Sequence, residues 1–399
     1  MFEHVDAYAG DPILSLVETF QKDTRQPKVN LGIGLYYDEQ GRLPLLNSVK
    51  QAEATRAAAP TARPYLPMEG AANYREAIQH LIWGADHEAV LAGRIATIQS
   101  IGGSGALKVG ADFLKRYFPN SEMLVSDPTW DNHRSIFEGA GIKVGTYPYF
   151  DAQTGGVAFD AMIAHFETLP KHTIVLLHPC CHNPTGVDLS KEQWTQVIKV
   201  VKSRELIAFL DIAYQGFGDS LEEDAYAIHA MTEAGVTFFL SNSFAKNMSI
   251  YGERCGGLSV ICPTAAEAQL VLGQLKFAVR RNYSSPPTHG SQVVAAVLSD
   301  AGLRAMWVSE VAEMRNRIQA MRQKLYAVLS AKVAGRDFSY FIKQRGMFSY
   351  TGLTPAQVER LKDEFAVYLV RSGRMCVAGL NEGNIDYVAN AMAAVLQDA

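Results

Sequence analysis

Cysteine is scarce in this 399-residue chain, which has five: Cys180, Cys181, Cys255, Cys262 and Cys376. The number is odd and no C-x-x-C pair occurs, so the sequence encodes neither a disulfide framework nor a paired-cysteine redox or zinc motif, and the thiols read as reduced. A surplus of charge of one sign is also missing. Lys+Arg 37 against Asp+Glu 41 leave a net −4, and the densest acidic cluster is Glu222, Glu223 and Asp224. A surface that tracks nucleic-acid phosphates is therefore not expected. No apolar run approaches the ~20 residues needed to cross a bilayer. The N-terminal MFEHVDAYAGDPILSL carries acids where a secretion signal has a basic region. A cytoplasmic protein with no membrane and no nucleic-acid partner is expected. Internal repeats and low-complexity tracts are absent, and so are the patterns G-x-x-x-x-G-K-[ST] and G-x-G-x-x-G, which removes Walker-type and dinucleotide-binding readings. No metal site is expected either, because the adjacent Cys180, Cys181 and His182, placed on an extended chain, point to opposite sides.

What is present is an ordinary globular composition, 48% hydrophobic and 20% charged, with a mean hydropathy of −0.03. Short β-branched runs recur, each followed by a helix-length segment. Strands are read at 95–101, 123–127, 143–147, 173–177, 207–211, 237–241 and 257–262. Most are continuously apolar, as strands covered on both faces are. Helices are read at 106–117 and 191–204, the second opening on Ser190 as N-cap, with a long amphipathic stretch at 309–330. This alternation predicts an α/β fold with a mostly parallel sheet of seven strands covered by helices, plus a smaller α+β domain containing MFSYTGL and GRMCVAGL as strands.

In such sheets ligands bind beyond the carboxyl ends of the strands, and the unusual residues cluster there. The first strand runs into Gly102, Gly103, Ser104 and Gly105, a glycine-rich turn suited to a phosphate. Asp211 ends a buried apolar run and so requires a partner or serves as an N-cap. His178-Pro-Cys-Cys-His-Asn183-Pro-Thr-Gly186 follows another strand. Ser243-Phe-Ala-Lys246 follows a third, with Arg254 close behind. A lysine in a water-poor site loses its charge readily, and its neutral amine can form a Schiff base. The same Ser243-x-x-Lys246 spacing fits penicillin-binding acyl transfer, but the accompanying S-D-N and K-T-G tripeptides do not occur.

Asp211-x-x-Tyr214, Asn183-Pro184-Thr185-Gly186 and Ser243-x-x-Lys246 with Arg254, taken together, resemble the fold-type I pyridoxal-phosphate enzymes of the aspartate aminotransferase class. The resemblance covers nearly the whole chain. Through YLPMEG, IGGSGALKVGADFLKRYFP, HPCCHNPTG, DIAYQGFG and RRNYSSPP it is strongest to the bacterial aromatic-amino-acid aminotransferases. It implies pyridoxal 5'-phosphate as cofactor, held through Lys246, which also moves the proton at the substrate Cα. Asp211 is implied as the partner of the ring nitrogen, with Asn183 and Tyr214 at the ring 3-oxygen. Gly103, Ser104, Ser243 and Arg254 are implied at the phosphate, and Trp130 on the ring face. His178 and His133 are implied behind Asp211.

For substrate, the resemblance implies Arg374 as the α-carboxylate clamp, Arg280 (or its neighbour Arg281) for a distal carboxylate, and Gly34 where the small domain closes. Trp130 and Asn183 also reach substrate. Arg280 and Tyr65 serve the neighbouring subunit's site in the family, which implies a homodimer with shared active sites. The implied domains are an arm at 1–14, a large cofactor-binding domain at 45–312, and a small domain at 15–44 and 313–399. The implied reaction is transfer of the amino group of tyrosine or phenylalanine, and of aspartate, to 2-oxoglutarate, the alternative being a dicarboxylate-preferring aspartate aminotransferase. Ala245 stands where the family frequently has serine.

Overall fold

Seven runs pair into one sheet: β1 (Ile95–Ile101), β2 (Met123–Asp127), β3 (Val144–Pro148), β4 (Ile174–Leu177), β5 (Ile207–Ile212), β6 (Phe238–Ser243) and β7 (Cys255–Ile261). These observations come from a computed structural model, which describes residues 1–7 and 10–397. The spatial order is β1-β7-β6-β5-β4-β2-β3. All neighbouring pairs are parallel except those of β7, which runs antiparallel to both β1 and β6. The α/β reading with a mostly parallel seven-stranded sheet therefore holds. β4 and β5 are buried at every position, the pattern a sheet covered on both faces imposes.

The helices that matter for the site follow the strands. α1 (Gly102–Tyr117) begins directly on β1, α2 (Asp131–Glu138) follows β2, and α3 (Lys191–Ser203) opens with a capping box between Ser190 and Gln193. The glycine-rich segment is thus not a turn ahead of a helix at Ala106, as read from sequence, but the first turn of α1 itself. Gly102 makes the reversal alone, at φ +63, a backbone conformation glycine adopts without strain. α4 (Ala265–Asn282) and α5 (Ala301–Lys332) complete the labelled set. α5 extends the stretch read at 309–330 at both ends, and the Asp300 carboxylate receives Leu303 N at 2.8 Å at its start.

The chain divides into two compact units, Pro44–Asn316 and Met1–Leu43 with Arg317–Ala399. The core of the first packs α1 on the sheet, with Leu107, Leu114, Phe209, Phe239 and Leu258 among its buried side chains. In the second, Val29–Asn30 pairs in parallel with Val367–Tyr368, and Phe348–Tyr350 pairs antiparallel with Arg374–Cys376. The buried Arg322 knits this unit by donating to the carbonyls of Phe341, Gly346 and Phe348 and to Ser349 Oγ. Of the segment at 1–14, residues 8 and 9 lie outside the described residues, and a helix (Pro12–Lys22) already begins within it. No helix among the described residues is long and apolar enough to cross a membrane.

Candidate active site

The parallel strands bring their carboxyl ends to one edge, and β7, running the other way, brings its amino end there. Gly103, Ser104, Trp130, Asn183, Asp211, Tyr214, Ser243, Lys246 and Arg254 all line a single cavity of about 140 Å³, together with His178. The antiparallel turn of β7 is what sets Arg254 beside α1. Cys255 registers with Ile101, and Gly102 N donates to Arg254 O at 2.8 Å. A Cβ at Gly102 would stand 2.7 Å from Arg254 Nη2, so only glycine leaves room for the guanidinium at the helix start. The N–H groups of the first turn of α1 have no partner four residues back. With Ser243 Oγ and Arg254 beside them they form an anion cradle.

At the other end, Asp211 is 5% exposed. Its Oδ2 lies 3.0 Å from His133 Nε2, whose Nδ1 lies 2.8 Å from Thr129 Oγ1. Burial pushes the Asp211 carboxyl up, but the hydrogen bonds and charges around it, His133 foremost with His178 and Ser241, together hold the group below the usual carboxylate range. Its Oδ1 is buried without a hydrogen-bond partner. A buried carboxylate oxygen left open toward a cavity calls for a cationic or N–H-bearing ligand atom.

Lys246 Nζ sits 5.0 Å from the centroid of the Tyr214 ring, and Asn183 Nδ2 donates to Tyr214 Oη at 3.4 Å. Burial brings the Lys246 amine down to about 8, Asp211 opposing and Arg254 assisting. The cavity thus offers an amine that is easily made neutral, a carboxylate awaiting a ring N–H, and an anion cradle. This donor set fits pyridoxal phosphate. Trp130, the residue before α2, lies edge-on to His133 at 5.2 Å.

Three imidazoles stand in a row behind Asp211. His133 and His178 centroids are 5.2 Å apart, and His178 and His182 are 4.4 Å apart. Burial takes His178 down to about 3 and His182 well below its ordinary value, so both are neutral. Sequence reasoning gave His182 no part in the site. The structure stacks it on Tyr149 at 4.1 Å, with Ser126 Oγ and Thr185 Oγ1 each 2.8 Å from a ring nitrogen. Asp188, also missed, accepts from Cys181 N at 2.7 Å and His182 N at 2.8 Å and so fixes the loop that presents Asn183. Its signal was the acid two residues past Gly186, a helix-free position where Asp folds back on backbone N–H groups.

Cys180 and Cys181 do not lie on the extended chain expected of them. Cys181 is at φ +52, so the chain is not extended there. The two sulfurs and a carboxylate oxygen of Asp224 lie within 4.8 Å of one another, whereas His182 faces Ser126 and Thr185.

Tyr65 and Arg280 do not line the cavity. Tyr65 is 95% exposed. Arg280 bonds Ser284 Oγ near the end of α4, and Arg281 covers the Phe277 ring at 4.7 Å. Arg374 and Gly34 belong to the other unit. There Arg374 is buried, donates to Gly32 O at 2.6 Å and lies 4.5 Å over the Phe348 ring. A Cβ on Gly34 would meet Phe348 Cζ at 2.8 Å.

The model of aminotransferase class I and II matches residues 26–392. The chain belongs to that family. It is 62% identical over 397 residues to the aromatic-amino-acid aminotransferase of Escherichia coli (strain K12), covering 99% of this chain and 100% of the relative. The structure of an aromatic amino acid aminotransferase from Psychrobacter sp. B6, cocrystallised with aspartic acid, superposes with a TM-score of 0.99 at 59% identity, covering 100% of both chains. That of an aromatic-amino-acid aminotransferase from Burkholderia pseudomallei, covalently bound to pyridoxal phosphate, gives 0.98 at 54% identity, covering 99% of each. The family resemblance drawn from the motifs therefore holds over the whole aminotransferase fold.

Proposed function

We propose that this aminotransferase moves the amino group of tyrosine or phenylalanine, and of aspartate, to 2-oxoglutarate in two half-reactions, with pyridoxal 5'-phosphate as its cofactor. When bound, the cofactor supplies an aldehyde that condenses with amines and a ring that takes up the electron pair of the breaking Cα–H bond. Lys246 holds it covalently through Nζ. Once displaced by the substrate amine, that nitrogen would serve as the base that takes the proton from Cα and, from the same side, as the acid that gives it back. Asp211 keeps the ring nitrogen protonated, and His133 keeps Asp211 ionised. Asn183 and Tyr214 hold the ring 3-oxygen as an anion. Gly103, Ser104, Ser243 and Arg254 bind the phosphate, and Trp130 covers the ring face.

Arg374 binds the substrate α-carboxylate through its planar fork, and Gly34 leaves space for the closing segment. The working unit is a cytoplasmic C2 homodimer in which Tyr65 and Arg280 serve the partner's site. Their position outside the cavity of their own chain favours this. Residues 45–312 are the cofactor domain, 15–44 and 313–399 the small domain, and 1–14 an arm.

The observation that carries the reading is the single cavity uniting Lys246, Asp211 and the Gly103–Arg254 cradle. The aromatic preference rests on the 62% identical relative. Comparing kcat/KM for tyrosine, phenylalanine and aspartate tests it: a higher value for the aromatic substrates is expected, and a marked preference for aspartate replaces it with the dicarboxylate reading.

A further inference from the structure

Next to the loop that presents Asn183 lies a polar cluster that none of the roles above uses. Cys180, Cys181 and Asp224 are 5%, 2% and 4% exposed. Their two sulfurs and one carboxylate oxygen lie within 4.8 Å of one another. The left-handed backbone at Cys181, φ +52, is what turns neighbouring side chains of the sequence to one side. Asp224 is held in place before any ligand arrives. Gly216 N and Gly218 N donate to its Oδ2 at 2.8 and 2.9 Å, and Asp219 N donates to its Oδ1 at 2.9 Å. The two bonds to Oδ2 use both of its lone pairs, whereas Oδ1, with one, keeps a lone pair for a ligand.

The hydrogen bond with Cys181 and burial push the Cys180 thiol well above an ordinary cysteine, and the charges of Asp224 and Asp188 add to this. Burial likewise pushes the Asp224 carboxyl up. Two thiols and the Asp224 carboxylate converge on one dry point, a soft sulfur-rich donor set whose charge a cation would balance once the thiols ionise.

We propose that Cys180, Cys181 and Asp224 form a binding site for a soft divalent cation of the zinc or cadmium type. Two metal–sulfur bonds and one metal–oxygen bond form, both S–H bonds break, and their protons leave to solvent, so the ion is held by two thiolates and a carboxylate. Thiolates select such thiophilic ions over magnesium or calcium. With metal–sulfur bonds of about 2.3 Å at a tetrahedral angle the two sulfurs stand about 3.8 Å apart, and the three ligand atoms already lie within 4.8 Å of one another. The Tyr214 carbonyl oxygen, 3.8 Å from Cys181 Sγ, borders the same point. An ion there ties the loop of Asn183 to the loop of Tyr214.

The test is titration of the purified holoprotein with cadmium alone in metal-free buffer, following the ultraviolet thiolate-to-cadmium absorbance, the bound metal and the protons released. One ion per chain and about two protons per ion are expected. The band should vanish in Cys180→Ser and in Cys181→Ser and persist in Cys262→Ser. Asp224→Asn should weaken binding at least tenfold. The cofactor absorbance of each variant before cadmium reports that it is folded, and the isosteric serine pair carries the conclusion should Asp224→Asn fail to fold. Absence of the band in the wild-type protein overturns the proposal. So does a band that survives both serine substitutions, which would assign the metal to other groups.

Discussion

Removing the cofactor and raising the pH from 7 to 9 should convert the Lys246 amine from mostly charged to mostly neutral. Burial brings this amine from 10.5 to about 8. At pH 7 about 1 chain in 11 then carries the neutral nucleophile, against about 1 in 3,000 for an ordinary lysine, a difference of about 3 kcal/mol between the two charge states. Below pH 8 a buried ammonium burdens the folded cofactor-free protein in full. Between 8 and 10.5 the unfolded chain holds the extra proton, so stability rises with pH, and above 10.5 the burden is gone. The assay is the rate at which the cofactor-free protein condenses with pyridoxal phosphate, followed by absorbance against pH. A midpoint near 8 is expected. Two variants separate the causes: Asp211→Asn removes the charge that holds the amine up and should move the midpoint lower, whereas Arg254→Gln removes the charge that pushes it down and should move it higher. A midpoint near 10.5, or one unmoved by both substitutions, would refute the reasoning.

Gly102→Ala puts a side chain at φ +63 and 2.7 Å from Arg254 Nη2. It should cost about 1 to 2 kcal/mol in fold stability and lower cofactor affinity at least tenfold, read by fluorescence titration of the cofactor-free protein. His133→Ala removes the 3.0 Å bond that keeps Asp211 ionised. The carboxyl moves up, so the acid limb of the kcat/KM profile should shift to higher pH, with a loss of about 1.5 to 3 kcal/mol for a bond to a charged group. Arg374→Ala should reduce kcat/KM for every amino-acid substrate by about 100-fold or more, mainly through KM, and Arg374→Lys should recover only part, since a point charge cannot replace a bidentate fork.

The sheet was legible because burial on both faces leaves continuous apolar runs such as Ile174–Leu177, and the motif residues were legible because each follows such a run. Strand direction was not. Nothing in Cys255–Ile261 announces that it runs against its neighbours, yet that reversal is what places Arg254 against Gly102. The start of α1 was misread because glycines signal turns, whereas here Gly103 lies in the first helical turn against β6, with Ser241 Oγ donating to its carbonyl at 3.3 Å. His182 was passed over because two of its partners, Ser126 and Tyr149, are more than thirty residues away in sequence and only Thr185 is local. The convergence of Cys180 and Cys181 depends on one backbone angle that alternation rules do not foresee.

The central claim is that one amine, Lys246 Nζ, carries the cofactor in this cavity. Reducing the holoprotein with borohydride, digesting it and locating the pyridoxyl group by mass spectrometry tests this directly. The account predicts a single labelled peptide with the group on Lys246. A label on another lysine, or a protein that takes up none, would contradict it.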